Sequence, residues 1–407
     1  MTPERDPIAD LLQENVLEER PPQTRGRRLA IVFAAIGVVI VVIATRALVA
    51  PPATDTTLPP VGGGDPEPPT TETTEPPIPP QEGRRRAASA AGDGLIVLFG
   101  GEGTTSHHVL GDAVISRDGG LSWSVRFWLG GPGQRVGASL THVTTADAFL
   151  LFGGTETNLT LACPPSCASI RPLDDLWVYR PADDSWSELT TIGPLARAGH
   201  GAAFDPAKNS LVVFGGINRG AGDRPTDTFP LDDTWVYDLA EGTWTRAFSP
   251  DNPPALVFPQ MIHHPETGLI YLWGGRTQSQ ADMDAAVWAF DTGTFEWTRI
   301  DPPDGAPPSR WFHSVIVLDD GRLLVTGGMW LQSRQLGSGT TSEILPTDEA
   351  WFWDPSTNTW TQAPSLPGVA ILHVSGVTES GPIVTWGDRT LVLHLGASEM
   401  TWTELGA

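Results

Sequence analysis

Four arginines recur at one place in a repeating chain. Arg86, Arg135, Arg197 and Arg310 each stand shortly before an apolar run, and His200 and His313 follow three residues after their arginines. A guanidinium presents a planar fork of N–H donors that matches a carboxylate or phosphate. A set of such forks facing one space is anion-binding chemistry. With imidazoles beside them as proton carriers, the same set would suit a sugar isomerase. A competing assignment lets each arginine neutralise a repeat acid, such as Asp232 or Asp348, and so clasp neighbouring units.

The elements that would position these residues are legible from Gly94 onward. An apolar run ending in a glycine pair recurs as IVLFGG (96–101), FLLFGG (149–154), LVVFGG (211–216), IYLWGG (270–275) and LLVTGG (323–328), with a degenerate IVTWGD (383–388). A variable loop follows each pair. Then comes a strand pattern led by an acid, as in DDLWVY (174–179), DDTWVY (232–237) and DEAWFW (348–353). A tight Gly, Asp or Asn turn leads to a last strand carrying Trp123, Trp186, Trp244, Trp297, Trp360 or Trp402. A further strand precedes each glycine pair, as in HGAAFD (200–205). The pattern predicts four antiparallel strands per unit, six times. A sheet of this size has two apolar faces and cannot cover both, so the units must stack around an axis and close into a ring. The first unit starts with its innermost strand and the last ends with its outermost. Closure is therefore expected from face packing between units six and one, not from a shared sheet.

This pattern resembles the kelch repeat: an Arg-x-x-His start, a run ending in Gly-Gly, an acid before a Trp strand and a final Trp. The resemblance covers residues 84–407 and implies an all-β, six-bladed propeller of four-stranded antiparallel blades. Kelch propellers serve as adaptors, cell-surface modules and enzymes, so the resemblance fixes fold and not function. It implies that the inner-strand arginines ring one mouth of the channel, where similarly placed arginines of cytosolic kelch adaptors grip acidic peptides. The loops between second and third strands open on that mouth. They carry His107, His108, Arg219, Arg224, Arg276, Trp330 and Arg334, the Arg and Trp types that dominate binding centres. The expected ligand-binding set is Arg86, Arg135, Arg197, Arg310, His200, His313, Arg276 and Trp330.

Other motifs narrow the chemistry. Ser116 to Trp123, SRDGGLSW, resembles the Asp-box hairpin of sialidase-type propellers, a structural device. No tyrosine nucleophile with an arginine triad can be assigned beside it. Tyr179, Tyr237 and Tyr271 are the three tyrosines and all sit at repeat positions, which argues against a radical copper site. His263 and His264 are adjacent, so in a strand one must face away. Cys163 and Cys167 form CPPSC in a mouth loop and are expected as a local disulfide that stiffens it. No cofactor and no metal are expected.

The N-terminal region reads differently. Residues 29–50, LAIVFAAIGVVIVVIATRALVA, are long and apolar enough for one transmembrane helix, with Arg46 near its far end. Arg25, Arg27 and Arg28 precede it, which sets residues 1–28 in the cytoplasm and the rest outside. Residues 51–83 are rich in Pro, Thr, Glu and Gly and read as an extended, disordered linker spanning up to roughly 100 Å. The net charge of −23 argues against nucleic acid. The reading is a single-pass cell-membrane protein. Its extracytoplasmic kelch propeller is a binding or scaffolding module for an envelope glycan or protein. The alternative is a carbohydrate-active enzyme, isomerase or hydrolase-like, working at the same mouth.

Overall fold

A computed structural model describes residues 84–405 except 93, 104–107, 159–168, 190–191, 220–227, 278–284, 337–338, 371–373, 379–380, 387–388 and 396–399. The expected anchor and linker, Cys163, Cys167, His107 and Arg224 all lie outside the described residues. Among the described residues no helix is long and apolar enough to cross a membrane.

The chain forms an all-β propeller of six four-stranded antiparallel blades. Blade three shows the plan: strands Gly201–Asp205, Ser210–Phe214, Thr234–Asp238 and Thr243–Ala247 lie side by side in chain order. The first strands of the other blades are Ala88–Gly92, Ser139–Val143, Gln260–His263, Ser314–Val317 and Val374–Thr378. First strands of successive blades touch one another around the axis, and that of blade six touches that of blade one. Each blade is built from one continuous segment, so the ring closes as expected without a shared sheet.

The second strands explain why the blades stack. Leu95–Phe99, Ala148–Phe152 and Ser210–Phe214 are buried at every residue, because each lies between two neighbouring blades. Period-two alternation then divides their side chains between two interfaces. Val97 and Phe99 join the core shared with blade two, while Ile96 and Leu98 pack with Ile383 and Val392 of blade six. The tryptophans of the last strands complete these interfaces. Trp186, Trp244, Trp297 and Trp360 sit 5.0–5.4 Å from Phe99, Phe152, Phe214 and Trp273 of the preceding blade. Offset and edge contacts of this kind add to plain area burial.

The glycine pairs weld one blade to the next. The second glycine of each pair donates its N–H to a carbonyl at the start of the following blade. The bonds run from Gly101 to Arg135, Gly154 to Arg197, Gly216 to Leu256, Gly275 to Arg310 and Gly328 to Ala370, at 2.8–2.9 Å. At Gly153 φ is +65° and a Cβ would lie 2.7 Å from the Arg197 carbonyl oxygen, so no other residue fits.

The Asp-box hairpin has the structural role expected of it. Asp118 accepts from the Ser122 N–H and hydroxyl, Ser116 Oγ accepts from Gly120 N, and the Trp123 indole donates to the Gly120 carbonyl. Burial raises the Asp118 pKa, but its bonds to Ser122 outweigh this and leave it below the ordinary value.

The glycine geometry gives a paired prediction. Gly153→Ala meets both the left-handed backbone and the Arg197 carbonyl, and is expected to cost clearly more than about 2 kcal/mol. Gly94→Ala has a φ of +76° and open space around it, and is expected to cost only about 1–2 kcal/mol. Urea denaturation of both variants measures the difference; equal midpoints would contradict the close-approach account.

Candidate functional site

The mouth is the end of the ring where the glycine pairs lie. The segments expected there as loops are partly hairpin arms. Thr155–Asn158 pairs with Ser169–Pro172, Ile217–Arg219 with Thr228–Pro230, and Met329–Leu336 with Gly339–Pro346. The second and third strands are already antiparallel neighbours, so their backbones continue to pair beyond the glycines. Arms of blades two and three touch each other. Among the described residues blade four carries no such arm.

The arginine ring is spent on structure. Arg135 Nη1 and Nη2 meet the Asp175 carboxylate at 2.7 and 2.8 Å, and Nη1 also donates to the Gly153 carbonyl. Arg197 repeats this with Asp233 at 2.8 and 2.9 Å and with the Gly215 carbonyl. Arg310 pairs with Glu349 at 3.0 Å. The three arginine side chains are at most 2% exposed. These forks hold the second strand to the third within one blade, while their backbone carbonyls receive the preceding blade's glycine. The expected open anion ring is thus corrected to a set of closed pairs. The partner acids are also shifted by one residue from Asp232 and Asp348, because strand alternation turns Asp233 and Glu349 inward. The same acids accept from the following indoles: Trp177 to Asp175, Trp235 to Asp233 and Trp351 to Glu349. That explains the acid before each Trp strand. Burial pushes the Asp175 and Asp233 pKa values up, yet the arginine hydrogen bonds and charge outweigh it and hold both below the ordinary carboxylate value.

Arg86 does not belong to this set. It has a left-handed backbone, φ 55°, and pairs with Glu102. Arg84 takes the repeat role, donating to the Gly100 carbonyl at 3.0 Å and to Asp112 at 2.9 Å. The run Arg84-Arg85-Arg86 hid this register. Spacing would have revealed it, since arginine and first glycine stand 16–18 residues apart in all four blades. Blade four lacks the pair altogether. Leu256 holds the arginine position, Ala286 stands where the acid would be, and both are buried in one core with Phe214 and Trp288.

Both predicted histidines are buried behind glycine pairs and do not face the mouth. Cβ atoms added at Gly216 and Gly328 would lie 2.9 Å from the Cβ atoms of His200 and His313. His200 Nε2 meets Ser139 Oγ at 2.8 Å, and burial followed by the Arg197 charge lowers its pKa to about 3. It is neutral at physiological pH and carries no proton across the mouth. His313 stands edge-on to Trp273 at 5.0 Å. His264 bonds the Gly321 carbonyl at 2.6 Å, and among the described residues no group of three or more His, Cys, Asp or Glu could hold a metal.

One predicted mouth cation has no carboxylate partner among the described residues. Arg276 follows the glycine pair of blade four, and its backbone exchanges two hydrogen bonds with Val257. Its guanidinium lies 5.9 Å from the Trp311 ring centre. It is half-buried and forms no ion pair with a described residue. Burial pulls its pKa down. Trp311 is 1% exposed, and its indole N–H has no acceptor among the described residues. Trp311 pairs with Met329, so half-buried Trp330 stands at the base of the long arm of blade five. Among the described residues, Arg276 is thus a half-buried cation on the Trp311 ring without a carboxylate partner.

Two predictions follow from the buried pairs. Arg197→Leu alone strands Asp233 and is expected to cost about 3–5 kcal/mol. Arg197→Leu with Asp233→Ala copies blade four, and chemical denaturation should show most of that loss recovered. In acid, two windows are expected. Unfolded His200 binds a proton that the folded state refuses, so stability falls as pH drops from about 6.5 toward about 3. The depressed carboxylates Asp175 and Asp233 add their loss as pH falls below the ordinary value of 3.8. His263, also lowered by burial, adds to the upper window, so His200→Gln should shrink that window in a pH series of thermal melts and leave the lower one.

The model of the KLHDC2/KLHL20/DRC7 Kelch-repeats domain matches residues 68–257 and 207–375. Kelch domain-containing protein 10 of Xenopus tropicalis is 25% identical over 223 residues, 53% of this chain and 49% of that protein. Kelch domain-containing protein 2 of Bos taurus is 24% identical over 212 residues, 47% of this chain and 48% of that protein. Adagio protein 3 of Arabidopsis thaliana is 27% identical over 283 residues, 66% of this chain and 41% of that protein. The chain thus spans about half or less of the length of these curated relatives.

Proposed function

The chain belongs to the kelch-repeat propeller family, and from that premise we propose that it is a binding module whose mouth, over blades four and five, holds an anionic group of a partner protein. Kelch propeller domains typically bind proteins. The observation that carries the reading is Arg276. The arginines of the expected ring are each paired with a carboxylate, whereas this one is half-buried on the Trp311 ring and has no carboxylate partner among the described residues. A partner carboxylate would relieve that cost and gain a charge-assisted hydrogen bond. Binding is favoured over sugar isomerisation because His200 and His313 are buried away from the mouth, which removes the proton carriers that the enzyme reading needs.

The reading includes the setting expected from the sequence. Residues 29–50 anchor the chain in the cell membrane, residues 1–28 are cytoplasmic, and residues 51–83 tether an extracytoplasmic propeller. The apolar run and the arginines before it support this. A glycan of the envelope is the other candidate partner.

The test uses the full chain in nanodiscs, screened against displayed random peptides and a glycan array. Selection of acidic peptides that disappears with Arg276→Ala, at unchanged melting temperature, is expected. Glycan binding indifferent to Arg276 would replace the protein reading. For the setting, deletion of residues 29–50 is expected to release the protein from the membrane fraction; full-length protein extracted by alkaline carbonate would refute the anchor.

A further inference from the structure

The floor of the mouth is a ring of left-handed residues, and three of the five are not glycine. Arg86, Gly137, Gly199, Phe258 and Phe312 occupy the matching place in blades one to five, with φ of 55°, 66°, 63°, 59° and 58°. Backbone bonds link them around the axis: Gly137 N donates to Arg86 O, Gly199 N to Gly137 O and Phe258 N to Gly199 O. Glycine takes this conformation freely, but an aromatic residue there is strained by about 1–2 kcal/mol. Blades two and three use glycine. Blade one uses Arg86, which pairs with Glu102, and blades four and five use phenylalanine, next to Arg276.

The two rings stand 4.4 Å apart between centroids, tilted by 49°. Phe312 is buried and Phe258 half-buried, so Phe312 is the backing and Phe258 the part that remains accessible. A Cβ at Gly199 would lie 2.7 Å from the Phe258 ring, so the glycine of blade three makes room for the phenylalanine of blade four. Val257, adjacent to Phe258, is the residue paired with Arg276, and Trp311 beneath the guanidinium is adjacent to Phe312. Strain of this sort persists where the surrounding structure enforces it, and it gathers at recognition sites.

We infer that Phe258, backed by Phe312, is a specificity-determining contact of the mouth: it takes an apolar side chain, aromatic for preference, next to the acidic group held by Arg276. This rests on the binding reading above and adds the second half of the recognised chemistry. An acidic group without an apolar neighbour would leave the aromatic floor wet, and an apolar group without the acid would leave Arg276 unpaired.

The experiment is a selection from a displayed library of random linear peptides on the full chain in nanodiscs, run in parallel on Phe258→Gly and Arg276→Ala. Phe258→Gly installs the residue that blades two and three use, and a thermal melt verifies its fold. Phe258→Asn, also at ease in the left-handed region, serves if glycine loosens the ring. Wild type is expected to enrich an acid adjacent to an aromatic or aliphatic residue. The position-258 variant should keep the acid and lose the apolar preference by roughly three- to tenfold, the range of an aromatic contact. Arg276→Ala should lose the acid. A wild-type motif with an acid and no apolar neighbour, or an unchanged motif at the position-258 variant, overturns the aromatic floor and leaves the anion reading standing. A wild-type selection without any acid overturns both.

Discussion

Blades one to five each meet the next where a glycine N–H reaches a carbonyl at a distance that leaves no room for a side chain. That bond recurs from Gly101 to Gly328, and the other interblade features assemble around it. The preceding glycine turns the second strand out of the sheet. The receiving carbonyl belongs, in blades two, three and five, to an arginine whose guanidinium is locked to an acid of its own blade. One residue thus works in both directions, with its backbone toward the previous blade and its side chain within its own. The tryptophan of the last strand packs across the same interface.

This arrangement explains why charge is buried without a net electrostatic gain being required. A buried ion pair often does no better than a well-packed apolar pair. Blade four demonstrates the substitution within one molecule, with Leu256 and Ala286 in place of an arginine and an acid. What the charged version adds is direction. A bidentate fork, two carbonyl contacts and an indole donor fix one register between the second and third strands, and with it the base of each arm at the mouth.

Blade four is also where binding chemistry is left over. Among the described residues its arm is absent and Arg276 lies beside Trp311 without a carboxylate partner, while Leu256 stands in the place of the repeat arginine. The departure from the repeat and the open charge coincide. In a ring of near-equivalent units, a site for a partner has to come from such a departure, because features common to all blades are consumed in holding the ring together.

The amino-acid sequence determined the repeat, the six four-stranded blades, the mode of closure and the Asp-box hairpin, because each rests on local patterning: alternation, glycine pairs and turn residues a few positions apart. It also singled out Arg276 and Trp330 as mouth residues, though not what separates them from the rest. Only the tertiary structure decided that Arg135, Arg197 and Arg310 are closed pairs, that Arg84 and not Arg86 carries the repeat role, and that His200 and His313 are buried. Whether a guanidinium is free depends on which carboxylate lies within about 3 Å of it, and strand alternation sends neighbouring acids to opposite faces. The Phe258–Phe312 floor was illegible for the same reason, since a left-handed backbone angle and a ring contact between blades exist only once the propeller has closed.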